Sequence, residues 1–345
     1  MNKIKDSLYG FVVGDALGVP VEFRSRVYLS DNPVTEMIGY GTHNVPPGVW
    51  SDDTSMTLAT MDSIIKTKTI NCNDMADRFC SWVNNSEYSA VDIVFDIGMT
   101  TSNALKLYQS CRDANTCGSN SIVSNGNGSL MRMLPIAFYC YYKQPSESEI
   151  FEIVKKTSGI THAHEISVMG CYIYVRYLMN LLQGKDKKES YNMIQKLSYS
   201  MFTDETQKVY QRIIKEDIST FDEVDIKSNG YVVSTLEASL WTVLNNTNLK
   251  DTILTAVNLG GDTDTVGAVT GSIAGMIYNY DDIPESWIEK LKKKDYINNI
   301  ITEFYNVITQ LSNKNSLSNA SSRSRLLNNG SNKKVNKNKC SCLCM

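Results

Sequence analysis

Two short stretches of the chain concentrate oxygen donors. The first is Asn258-Leu259-Gly260-Gly261-Asp262-Thr263-Asp264-Thr265, which leads into a segment from Val266 to Tyr278 with almost no large side chains. Paired glycines let the backbone turn tightly. The first helical turn that follows leaves N–H groups without partners, where the helix dipole favours carboxylates. Asp262, Asp264 and Thr265 thus offer carboxylate and hydroxyl oxygens of the kind a hard cation takes. The second stretch is Trp50-Ser51-Asp52-Asp53-Thr54. Ser51 suits an N-cap, and Asp52 and Asp53 fall in the first turn of a helical pattern. Capping alone would explain either stretch taken singly. Two helix starts, each with two carboxylates plus hydroxyls, make the arrangement expected of a two-metal site.

The elements that must hold these groups read as helices. Gly267, Gly271 and Gly275 recur every fourth residue, and glycine costs about 1 kcal/mol against alanine within a helix. Three on one face therefore predict close packing against a neighbour. The run is too short to span a bilayer, which takes about 20 apolar residues. It reads as a buried central helix with the metal site at its N-terminus.

Elsewhere, Ile4, Leu8, Phe11 and Val12 mark an amphipathic first helix leading into the segment Gly14–Phe23, where Pro20 ends the helix and places Glu22 in a loop. Read alone, Glu22 is a solvated surface acid. Residues 30–50 read as loop. Asp96 precedes a helix expected to start near Ser102. The run Ser124–Pro135 is a Gly/Asn loop feeding an apolar helix. Exposed N–H groups there could cradle a phosphate, although Asn-Gly pairs mark ordinary turns as often. Thr161-His162-Ala163-His164-Glu165 precedes a long apolar helix ending near Leu182, with His164 read as a cap. Tyr231 to Trp241 opens another helix, and Trp287 to about Gln310 supplies the last one or two. With no alternating strand pattern and no internal repeat, the expectation is an all-α fold: one compact multi-helix domain over 1–312, then a disordered basic tail over 313–345.

The chain has 345 residues, 42% of them hydrophobic, enough for a large core, and a formal net charge of −3. That balance gives no reason to expect nucleic acid as partner. Seven basic and no acidic residues follow Asn313, leaving the body near −10. Nine cysteines without a Cys-x-x-Cys pair, and three histidines, argue against zinc. They suit a reducing, cytoplasmic setting, as does an N-terminus without a signal-peptide pattern. The terminal Cys342-Leu343-Cys344-Met345 fits a prenylation signal, with Met favouring farnesyl. Lys333, Lys334, Lys337, Lys339 and Cys340 would supply the second signal for peripheral membrane contact. A tail whose cysteines are incidental is the equal alternative.

Five segments together resemble the ADP-ribosylglycohydrolase family: Gly14–Phe23, Trp50–Thr54, Ser124–Pro135, Ile160–His162 and Asn258–Gly275, in the family's order across nearly all of residues 1–310. The resemblance implies a binuclear Mg2+ centre (Mn2+ in some members) held by Ser51, Asp52, Asp53, Asp262, Asp264 and Thr265. It implies hydrolysis at ribose C1″ of ADP-ribosylated proteins or small molecules, releasing ADP-ribose. Glu22 and Asp96 match acids near the metals. Asn125, Gly126, Asn127, Gly128, Ser129, Met131 and His162 match the parts that hold diphosphate and ribose. Ser51 stands where threonine is more usual, and the hydroxyl is kept. Such a bond breaks through an oxocarbenium-like transition state, and either Asp96 or Glu22 could transfer the proton. A non-catalytic, crystallin-like relative and a two-metal phosphohydrolase are the alternative readings. The acceptor group and the oligomeric state stay open.

Overall fold

The computed structural model describes residues 2–331, with side chains as far as 312. Its elements, in chain order, are α1 (Asn2–Gly18), α2 (Arg26–Asp31), α3 (Asp52–Thr67), α4 (Cys72–Asn85), α5 (Met99–Cys111), α6 (Leu134–Lys143), α7 (Glu147–Gly159), α8 (Glu165–Leu182), α9 (Lys187–Gln195), α10 (Asp204–Val209), α11 (Gln211–Ile214), α12 (Val232–Asn245), α13 (Leu249–Asn258), α14 (Thr263–Ile277), α15 (Glu285–Lys290) and α16 (Lys294–Ser331). Among the described residues the only β pairing is three isolated bridges, so the fold is all-α as the sequence predicts.

The central helix is α14, buried from Thr263 to Met276. Its glycine face meets a second glycine face, on α1. A Cβ on Gly271 would lie 2.1 Å from the Gly10 carbonyl oxygen, one on Gly14 2.0 Å from that of Gly267, and one on Gly275 2.1 Å from that of Asp6. No side chain fits there, so backbone packs on backbone. At the end of this contact Gly18 abuts Asp264, where an added Cβ would come 2.3 Å from its Cα. The α1–α14 pair therefore fixes where the acidic end of α14 sits.

Helices α3, α8 and α12 pack around this pair. Ser51 caps helix α3, its hydroxyl accepting from the Asp53 N–H at 3.3 Å. Asp15, on the buried α1, accepts from the N–H groups of Ser51 (2.9 Å) and Thr54 (3.0 Å) and from the Thr54 hydroxyl (2.6 Å). It ties the start of α3 to the central pair. His164 caps α8 by accepting from the Ile166 N–H at 3.3 Å.

Two details differ from the sequence reading. Helix α5 begins at Met99, not near Ser102, because Gly98 in extended conformation already caps it. Pro20 does not free the following residues: Val19–Val21 form a 3-10 turn, and the Phe23 N–H donates to the Gly261 carbonyl at 2.7 Å. The backbone of the last helix, α16, runs from Lys294 to Ser331. The terminal cysteines and their prenylation pattern lie outside the described residues.

Candidate active site

The N-termini of α3 and α14 point at the same floor. Thr265 and Ser51, one from each helix, both donate their hydroxyls to Asp53 Oδ2 at 3.1 Å. Asp53 Oδ1 and Asp264 Oδ2 are buried with no hydrogen-bond partner. Carboxylate oxygens of Glu22, Asp262 and Asp264 lie within 4.8 Å of one another. Burial, reinforced by the neighbouring acids, pushes the carboxyls of Asp52, Asp53 and Asp264 well above the usual carboxylate range. The Asp262 carboxyl is also raised, chiefly by desolvation.

These are the marks of a cation site. The donors are all oxygen, two buried ones are orphaned, and no lysine or arginine lines the cavity above them. Glu22, Asp262 and Asp264 could hold a divalent cation, and Ser51, Asp52, Asp53 and Thr265 bring further oxygen donors of the right chemistry to the two helix starts.

That cavity holds about 290 Å3. Its lining includes Glu22, Asp52, Asp96, Asp262 and Thr265 on the acidic side, and Gly126, Asn127, Gly128, Met131 and His162 opposite. Met99, Thr100 and Thr101 from α5 form a third wall. Asn127 bridges the two sides, donating to Asp262 Oδ2 at 2.7 Å while Thr235 accepts from it at 3.0 Å.

Two residues expected to touch substrate do not line this cavity. Asn125 accepts from the N–H and hydroxyl of Ser167 at 3.2 and 2.9 Å, holding the start of α8. Ser129 is fully buried against Ser158 and Cys171. Both support the loop from behind.

Glu22, a surface acid when read alone and an acid near the metals by the resemblance, is only 4% exposed. The turn at Val19–Val21 and the Phe23–Gly261 bond draw it inward. Burial raises its carboxyl to about 8, against the lowering effect of a hydrogen bond from His43. His43 stacks on Phe95 at 4.9 Å and groups with Glu22 and Asp96 on one side of the cavity. Asp96 itself is half-buried, in a left-handed conformation with φ of 55°.

Opposite, the buried Arg132 fixes the loop and the histidine together. Its guanidinium donates to the Gly128 carbonyl and, at 2.8 Å, to the Thr161 hydroxyl oxygen. Thr161 is then left to donate to His162 Nδ1 at 2.7 Å. His162 is nearly inaccessible, and burial beside Arg132 drops it to about 3. It is neutral, accepts at Nδ1, and so carries its proton at Nε2, the nitrogen beside Gly126. A Cβ on Gly128 would stand 3.0 Å from the His162 ring and 2.9 Å from Thr101 Oγ1. Glycine keeps that approach open.

Sequence reading missed Asp15, His43, Arg132 and Thr235. Asp15 alone carried a signal, a carboxylate set in an otherwise apolar helix.

The all-helical body thus gathers four aspartates at two helix starts, beside a neutral histidine and a glycine loop, in one acidic cleft that could hold a cation. The chain belongs to the ADP-ribosylglycohydrolase family, whose model matches residues 1–314. It is 32% identical over 88% of its length to ADP-ribosylarginine hydrolase Tri1 of Serratia proteamaculans, covering 79% of that protein. It is 29% identical over 83% of its length to the ADP-ribosyl-[dinitrogen reductase] glycohydrolase of Rhodospirillum rubrum, covering 88% of it. A solved structure titled ADP-ribosylglycohydrolase-related protein complex superposes with a TM-score of 0.71 at 26% identity, over 90% of this chain and 98% of that one. The protein is thus a glycosidic hydrolase of this family.

Proposed function

We propose that this protein hydrolyses the bond between ribose C1″ and an arginine side chain, releasing ADP-ribose, with two Mg2+ ions (or Mn2+) held by Ser51, Asp52, Asp53, Asp262, Asp264 and Thr265. The observation that carries this reading is the pair of buried carboxylate oxygens, Asp53 Oδ1 and Asp264 Oδ2, that no protein donor satisfies on the acidic floor. Bound metal supplies charge that orients ribose hydroxyls and activates water.

The chain's own residues do the rest. His162 presents its Nε2–H across the cavity to a ribose or phosphate oxygen, its tautomer set by Thr161. The open backbone of Gly126–Gly128 receives the diphosphate. Asp96, half-exposed on the cavity wall, takes the proton from attacking water, whereas Glu22 is committed to His43. Arginine suits the acidic wall, because a guanidinium donates paired N–H groups to carboxylates. The name of the Serratia relative points the same way.

Metal removal tests this reading. Excess EDTA abolishes release of ADP-ribose, and added Mg2+ or Mn2+ restores it. Undiminished turnover after exhaustive chelation contradicts the metal assignment.

A further inference from the structure

Outside the cavity, one pair of side chains stands apart. Cys111 is the last residue of α5, and Cys117 lies six positions on, across a tight turn. Their sulfurs are 3.2 Å apart. The thiols are otherwise opposite in character: Cys111 is exposed, while Cys117 is 5% exposed. Cys117 donates to the Asp113 carbonyl at 3.1 Å.

The turn between them is held from several sides. Asn73, on α4, accepts from the Ala114 N–H at 2.8 Å. Asp113 accepts from the Asn115 N–H at 3.1 Å through its side chain, and from the Thr116 N–H at 3.2 Å through its carbonyl. Beyond Cys117, Gly118 is packed so closely that a Cβ would lie 2.0 Å from the Gly159 carbonyl oxygen. Ser119 then exchanges backbone hydrogen bonds of 2.9 Å with Thr161 and Ala163, the neighbours of His162. The chain is thus fixed on both sides of the pair, so the sulfurs meet by construction.

We propose that Cys111 and Cys117 form a reversible modification site, an intramolecular disulfide made by hydroperoxides and undone by small thiols. Closing a bond of about 2.05 Å from this separation needs little movement. The attacking group is the Cys111 thiolate. It displaces hydroxide from hydrogen peroxide as the O–O bond breaks, giving a Cys111 sulfenic acid. The Cys117 thiol attacks that sulfur, the S–S bond forms, and one water leaves. Two equivalents of small thiol restore both cysteines and leave as their own disulfide. Hydrogen bonding by the Asp113 backbone and Cys117 also holds the Cys111 thiol below its usual range, and burial raises Cys117. Exposed attacker and sheltered resolver are the pairing that such chemistry uses.

The location gives the bond a consequence for the fold. Helix α5 brings Met99, Thr100 and Thr101 to one cavity wall, and the segment after Cys117 pairs through an isolated bridge with the segment that carries His162. The disulfide would staple the connection between two walls of the active site.

The test uses the full-length reduced protein, treated with hydrogen peroxide, alkylated with iodoacetamide and mapped by peptide mass. The expected result is Cys111 and Cys117 recovered as one linked pair, returned to thiols by dithiothreitol. Cys117→Ser is expected to leave Cys111 as a sulfenic acid captured by dimedone, and Cys111→Ser to slow oxidation of Cys117 at least tenfold. The proposal is overturned if wild-type Cys111 is recovered as free thiol, as higher acids, or bonded to Cys340, Cys342 or Cys344. The wild-type map decides the matter even if a variant folds poorly.

Discussion

Gly267→Ala sets two effects against each other. Alanine gains about 1 kcal/mol of helix propensity over glycine. Against that, its Cβ would sit 2.5 Å from the Gly14 carbonyl oxygen and 3.2 Å from a methyl of Val257. Ordinary contact begins at 3.4 Å, so α1 and α14 must part by about 0.9 Å. Overpacking of this kind costs about 1–3 kcal/mol, and here the obstacle is backbone, which cannot rotate aside. The net expectation is a loss of about 1–2 kcal/mol and a fall in Tm of several degrees. Activity should fall further than stability. Asp264 lies one turn upstream on the same helix and is itself pressed against Gly18, and a misplacement near 1 Å costs about 10²-fold in rate. Differential scanning calorimetry and turnover at saturating metal measure both. Gly159→Ala, with nothing within 4 Å of its added carbon, is the control and should be neutral or stabilising. If Gly267→Ala melts at or above the wild type with unchanged turnover, the packing argument is wrong and the glycines are incidental.

Three further outcomes are expected. In metal-stripped protein Asp264→Asn should be more stable than wild type by roughly 1–3 kcal/mol near neutral pH, the scale of an unpaired buried polar group. The sign follows from linkage: the folded carboxyl is raised above 3.8, so wild-type stability is highest below that pH and is lost as pH rises. Chemical denaturation at pH 3.5 and pH 7.5 should therefore show the advantage shrinking on the acid side, and a uniform difference would contradict it. His43→Ala should lower kcat roughly 10–100-fold, as loss of an orienting partner does, and displace the ionisation of Glu22 upward from about 8, since it removes a lowering hydrogen bond; His43→Gln, which keeps a donor, should recover much of the rate. Arg132→Met should raise KM for ADP-ribosyl substrate more than it lowers kcat, because Thr161 and Gly128 lose their common donor; an unchanged KM would remove Arg132 from the substrate side.

What was legible in the sequence was what is local. The Asp262–Thr265 and Ser51–Asp53 clusters announce themselves through capping chemistry over a few residues, and the period-four glycines on α14 foretell a close neighbour. That the neighbour is α1, with its own Gly10, Gly14 and Gly18, follows only from the pairing in space. Glu22 shows the limit most plainly. Its sequence context is a post-proline loop, and its burial is imposed by Gly261, far along the chain. His43 and Arg132 were unreadable for the same reason, since each acts on a group that is distant in sequence or reached only through the folded loop; Asp15 stood out as a carboxylate in an apolar helix, but its partners Ser51 and Thr54 follow only from the fold. Asn125 and Ser129 sit in a motif of the right kind, yet their side chains turn back to Ser167 and Ser158. A motif gives the loop's place, and only packing gives each residue's direction.

The most direct measurement is product analysis on a peptide bearing a single ADP-ribosyl-arginine, incubated with the protein and Mg2+ and resolved by liquid chromatography and mass spectrometry. Cleavage at ribose C1″ yields free ADP-ribose and a peptide restored to its unmodified mass. Release of AMP or inorganic phosphate with ribose-phosphate left on the arginine, or an intact modified peptide alongside a cleaved ADP-ribosyl-serine peptide, would contradict the account.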